Sequence, residues 1–133
     1  MNKMKVFESK DCPSSWCEKI NYVDDYNKFV GFDISPKCYE DFGHGVYHGI
    51  GPLPSVYKCG DEAIGVDLEP YRFIDTLPVS GILAGKEYEG EYEGSLGFRI
   101  VADGLPDLWV VIWNHHNGYY SHGFTSWNDS GDL

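Results

Sequence analysis

Asp107-Leu108-Trp109-Val110-Val111-Ile112-Trp113 places six apolar residues in a row behind one aspartate, and its reading decides the fold. The run is short for a buried helix and apolar at odd and even positions alike. It therefore reads as a strand covered on both faces, the centre of a sheet. Trp109, Val111 and Trp113 fall on one face; Val110, Ile112 and Asn114 fall on the other. Just upstream, Leu96, Phe98 and Ile100 alternate in a second strand, joined by the turn residues Ala102-Asp103-Gly104-Leu105-Pro106. Just downstream stands Asn114-His115-His116-Asn117-Gly118-Tyr119-Tyr120-Ser121-His122-Gly123-Phe124, where Asn117-Gly118 is the dipeptide of a two-residue hairpin. Residues 119–127 then return as the partner strand, and the C-terminal third is predicted to be a three-stranded antiparallel meander.

That loop fixes a register. His116 faces Tyr119, His115 faces Tyr120, and Trp113 faces His122. His115 and His122 become diagonal neighbours on the face of Trp109 and Trp113, while His116 points the other way. His115, Tyr120 and His122 are thus the candidate ligand-binding group. A metal site needs a third ligand, which His44, His48 or a cysteine would have to supply through tertiary folding. No metal and no cofactor is predicted. The plainer reading is that these side chains cap a hairpin and bond to nearby backbone or water.

The N-terminal half carries a second hairpin: Glu18 to Val23, a polar turn over Asp24 to Asn27, and Lys28 to Ile34. Ile20, Tyr22, Phe29 and Phe32 give it apolar content, with Gly31 as a bulge. Residues 35–65 read as loop, with one helical turn opened by Ser35-Pro36 and an irregular stretch broken by Gly43, Gly45, Gly49 and Gly51. Tyr71 to Leu77 reads as a further strand. The fold class is mainly β, or α+β with little helix: an antiparallel sheet of hairpins ending in a three-stranded meander. At 133 residues, 1–133 is expected to form a single globular domain.

Charge narrows the function classes. Ten Lys and Arg against 21 Asp and Glu give a formal net charge of −11. This argues against binding a nucleic-acid backbone, which draws its affinity from cationic side chains. It suits a protein partner with a basic surface. The densest acidic stretch, Lys86-Glu87-Tyr88-Glu89-Gly90-Glu91-Tyr92-Glu93-Gly94, repeats Tyr-Glu-Gly. Glu87, Glu89, Glu91 and Glu93, with Tyr88 and Tyr92, are the candidate partner-binding residues; a merely solvated face is the plainer reading. No apolar run is long enough for a membrane span, and no apolar segment follows the basic N-terminal residues, so the cytoplasm is the expected compartment. Cys12, Cys17, Cys38 and Cys59 lack the paired spacing of a zinc site and read as free thiols.

Catalytic templates are missing. There is no Gly-x-Ser-x-Gly elbow, no His-Glu-x-x-His and no phosphate-binding lysine loop, and no histidine begins a His-x-Ser or His-x-Thr motif. No catalytic residue is assigned, and an enzyme is unsupported.

Ile20-Asn-Tyr-Val-Asp-Asp-Tyr-Asn-Lys-Phe-Val-Gly-Phe-Asp33, continued through Cys38-Tyr-Glu-Asp-Phe42, together with Phe98 to Leu108 and Asn114 to Phe124, resembles a family of small uncharacterised proteins of bacteria and their phages. Residues 43–95 match it weakly. The resemblance brings no activity or catalytic residue with it. It implies a phage or mobile-element setting, where small acidic proteins often inhibit host defence, anti-CRISPR proteins among them. The expected function is an accessory protein that covers the basic nucleic-acid-binding surface of a partner, a CRISPR effector or another defence nuclease. The alternatives are a small-ligand or metal-binding protein, even a nucleotide hydrolase, using the His/Tyr hairpin, and a subunit of a phage structure.

Overall fold

The computed structural model describes residues 4–10, 18–35, 41–50, 58–74, 78–80, 82, 95–115 and 123–133. These form eleven strands: β1 (Lys5–Lys10), β2 (Glu18–Val23), β3 (Phe29–Asp33), β4 (Asp41–Ile50), β5 (Lys58–Glu62), β6 (Arg72–Phe73), β7 (Val79–Ser80), β8 (Ser95–Val101), β9 (Leu108–His115), β10 (Gly123–Ser126) and β11 (Ser130–Asp132). Every pairing among them is antiparallel. One sheet, called A here, runs β1-β2-β3-β10-β11; the other, B, runs β5-β4-β9-β8-β6, with β7 also on β8. The mainly β, antiparallel class expected from the alternation patterns is the one observed. Among the described residues no helix is long and apolar enough to cross a membrane.

The strand at the centre of the sequence reading is also at the centre of sheet B, between β4 and β8. Val110, Val111 and Ile112 are fully buried, as a strand covered on both faces must be. Its even positions face sheet A. There Leu108, Val110 and Ile112, with Phe98 and Ile100 of β8, meet Ile20 and Tyr22 of β2, Val30 and Phe32 of β3, and Phe124 of β10. Each such side chain contributes ~1.5–3 kcal/mol by leaving water. Phe98 and Phe124 touch edge to face across the layer, with centroids 6.2 Å apart. The odd positions form a second cluster: Trp109 and Val111 with Ile82, packed by Tyr47, Val79 and Trp113.

The β2–β3 hairpin forms in the expected place, around a buried acid. Asp24 is 4% exposed. Its Oδ1 accepts from the amides of Tyr26 at 2.8 Å and Lys28 at 2.9 Å. Its Oδ2 accepts from the amide of Phe73 at 2.9 Å, tying the turn to β6. Asn27 closes the turn at φ 62°, a left-handed conformation that asparagine tolerates. Gly31 is not a bulge: it pairs in unbroken register with Asn21 and Thr125. Val30 takes the core position, and Phe29 is half-buried on the opposite face.

Two expectations are corrected. The glycine-rich stretch expected as an irregular loop is β4, the longest strand described. Gly43 lies opposite Trp113, and Tyr47 opposite Trp109, on one face. A Cβ on Gly43 would come within 2.5 Å of the Trp113 ring, and one on Gly49 within 2.9 Å of Trp109 Nε1. The glycines are sockets for indoles, and β-sheet pairing offsets their weak strand preference. Residues 36–40, where the helical turn was expected, lie outside the described residues.

The second correction concerns the strand after Asn117-Gly118. β9 does not pair with it. Trp113 has Gly43 on one side and Ser95 on the other, so both of its edges are taken. β10 instead lies between β3 and β11, with Phe124 opposite Phe32 and Gly131. Between His115 and Gly123 the chain passes from one sheet to the other. In sheet A, Phe124 is buried in the core against Phe98.

Candidate functional site

Most of the residues singled out by sequence lie outside the described residues. This holds for Glu87, Tyr88, Glu89, Glu91, Tyr92 and Glu93 of the acidic tract, and for Tyr120 and His122. The tract's flanks are described: Ile82 and Ser95 are both 0% exposed, on the outer face of sheet B beside Trp109 and Trp113. His115 ends β9 with its backbone opposite Asp41. The expected register of His115 with Tyr120 and His122 falls on residues outside those described. Asn114, read onto the face of Val110 and Ile112, is fully buried, and its Nδ2 donates to the Leu133 carbonyl at 3.0 Å.

The structure brings together a pair that the sequence left apart. His44 of β4 and Tyr22 of β2 meet where the sheets face each other, with Tyr22 Oη 2.6 Å from His44 Nδ1 and the rings nearly perpendicular at 71°. Burial pushes the Tyr22 hydroxyl well above its ordinary range, and the charge of Glu62 and the neighbouring Tyr47 push the same way. Burial lowers His44, against the opposing pull of Glu8 and Glu62. Both groups thus favour their neutral forms, and a neutral phenol and a neutral imidazole share the hydrogen bond, with the donor set by the imidazole tautomer. Such a pair can hold a proton in place or tie two sheets. Among the described residues no group of three His, Cys, Asp or Glu side chains could hold a metal ion.

The outer face of sheet A carries the other feature, a trough of ≈ 500 Å³. Alternation sends Ile20, Tyr22, Val30, Phe32 and Phe124 inward, and so sends Ser9, Lys19, Asn21, Phe29, Gly31, Asp33 and Thr125 outward. Strand pairing aligns them in rows: Phe7, Asn21, Gly31 and Thr125 in one, Ser9, Lys19 and Asp33 in the next. Asn21 Nδ2 donates to Ser9 Oγ at 2.9 Å. At the trough's end Asp33 Oδ1 accepts from the Ser35 amide at 2.9 Å, and Ser35 Oγ accepts from the Glu18 amide at 3.0 Å. The outward residues of β2 and β3 were readable from their alternation. Thr125 and Gly123 were not, since they reach this face only because β10 joins sheet A.

Comparison with known proteins returns no match: no family model fits the chain, and no curated protein or solved structure is significantly similar to it. The likeness to small phage and bacterial proteins stands on the quoted sequence blocks alone.

Proposed function

We propose that this protein acts by binding: a small acidic accessory protein, working in the cytoplasm, that docks on the basic surface of a partner protein and keeps nucleic acid off it. The observation that carries this reading is the formal net charge of −11 on 133 residues. Three cations among the described residues are engaged within the fold. Arg99 is paired with Asp107, Arg72 lies over the Tyr26 ring, and Lys28 lies over Trp127. The negative field is left to act outward, where it speeds encounter with a cationic groove and suppresses approach to nucleic acid. Glu87, Glu89, Glu91 and Glu93, with Tyr88 and Tyr92, are the proposed contact residues; the buried Ile82 and Ser95 flank them in the sequence. A defence nuclease, CRISPR effectors included, is the partner class in keeping with the sequence resemblance.

The test is capture of partners from a host lysate, followed by titration of the captured protein at several salt concentrations. Neutralising the four glutamates to glutamine is expected to weaken binding at least ~10-fold and to flatten its salt dependence. Affinity that ignores both salt and these four charges rules the reading out.

A further inference from the structure

We propose that the trough on the outer face of sheet A is a binding site for a short neutral saccharide of one or two sugar rings. Its volume, ≈ 500 Å³, lies within the ~300–1,000 Å³ typical of small-molecule sites. Gly31 forms its floor and is itself buried. A Cβ at that position would stand 3.0 Å from Asn21 Oδ1, so the glycine leaves the amide room at the trough's centre. The walls supply what a sugar's hydroxyl rim requires. Asn21, held by its Nδ2 bond to Ser9 Oγ, presents a planar amide, and Asp33, held by the Ser35 amide at Oδ1, a planar carboxylate; each group has further hydrogen-bonding capacity for a sugar hydroxyl, and the Thr125 hydroxyl adds to it. Phe29, on the same face, offers an apolar ring to the C–H side of a pyranose.

Charge sets the class. Glu18 and Asp33 against Lys19 leave the lining slightly negative within a molecule of net charge −11, which disfavours phosphorylated or carboxylated ligands. Lys19 stands directly across from Asp33 in register and offsets its charge, so the trough does not single out a cation either. An uncharged ligand dense in paired hydroxyls satisfies these groups without a charge of its own. The lining shares no residue with the proposed acidic docking surface.

The experiment is titration of isotope-labelled protein by two-dimensional NMR with cellobiose, maltose and N,N′-diacetylchitobiose, and with glucose 6-phosphate as the anionic control. At least one neutral disaccharide is expected to shift the Asn21, Gly31 and Thr125 amides saturably, with Kd between ~10 μM and ~10 mM, and glucose 6-phosphate is expected to leave them in place. Asn21→Ala is expected to weaken that binding at least ~10-fold, and Thr125→Val to weaken it with the fold intact by the same spectra. The proposal is overturned if none of the three sugars moves these amides, if shifts cluster elsewhere, or if the phosphate ester binds as well. Unchanged affinity in both variants overturns it too. Charge removal at the four tract glutamates is expected to leave sugar binding unaltered, so this site and the docking surface fail or stand independently.

Discussion

Tyr22 and His44 meet at 2.6 Å between the two sheets, and each is shifted toward its neutral form chiefly by burial. Tyr22→Phe keeps the ring and removes the hydroxyl, leaving a desolvated imidazole nitrogen without its partner. The expected cost is ~1–2 kcal/mol in urea unfolding. His44 also carries a pH signature. Its folded-state value is below the ordinary 6.5, so between the two the unfolded chain binds more protons than the folded one. Stability therefore rises with pH through that window and falls as the medium is acidified below about 6.5. His44→Gln, whose amide can still hydrogen-bond to the phenol, is expected to flatten this part of the curve in denaturation series across pH. A second residue-scale prediction concerns the indole sockets. Gly43→Ala places a methyl against the Trp113 ring, where the Cβ would stand at 2.5 Å, and is expected to destabilise by ~1–3 kcal/mol. The same change at Gly104, which faces open space, meets only the strain of φ +74° and is expected to cost about 1 kcal/mol.

Among the elements, the β2–β3 hairpin depends on one carboxylate. Asp24 accepts three backbone amides, two from its own turn and one from Phe73, so it sets the turn and fastens sheet A to β6 together. Asp24→Ala strands three donors, one of them buried, and is expected to cost roughly 3 kcal/mol or more in equilibrium unfolding. Hydrogen exchange is expected to quicken at Phe73 as well as at Tyr26 and Lys28, since all three amides lose the same acceptor. The polar turn was plain in Asp24 to Asn27. That the aspartate also reaches Phe73, far along the chain, was not, because a short polar side chain carries no mark of a distant partner. β4 teaches the reverse lesson. Gly43, Gly45 and Gly49 read as breakers when their neighbours in space are unknown, yet here Gly43 and Gly49 make room for Trp113 and Trp109 of β9.

At the scale of the molecule, the decisive event is the passage of the chain from β9 to β10, from one sheet to the other. Phe124 then closes the core against Phe98, and Trp127 follows it to cover Phe98 and Phe73. Phe124→Ala is expected to cost about 3 kcal/mol or more, and a double-mutant cycle with Phe98→Ala to return ~0.5–1.5 kcal/mol of coupling. Additive losses would mean that the two rings do not meet. The same passage gives Thr125 and Gly123 to the trough on the outer face of sheet A.

The alternation of apolar residues alone determined the class, the strands at β2, β3, β8 and β9, and the central place of β9. Those are properties of a single strand's two faces, and side-chain hydrophobicity encodes them locally. Which strand lies beside which was left to the tertiary structure. A hairpin dipeptide offers a nearby partner, but burial of Phe124 and occupation of both edges of β9 at Trp113 send the strand elsewhere. His44 against Tyr22, and Asn21 against Gly31 and Thr125, exist as neighbours only after that choice is made. Long-range pairing is settled by the sum of buried surface over the whole core, which no short stretch of sequence contains.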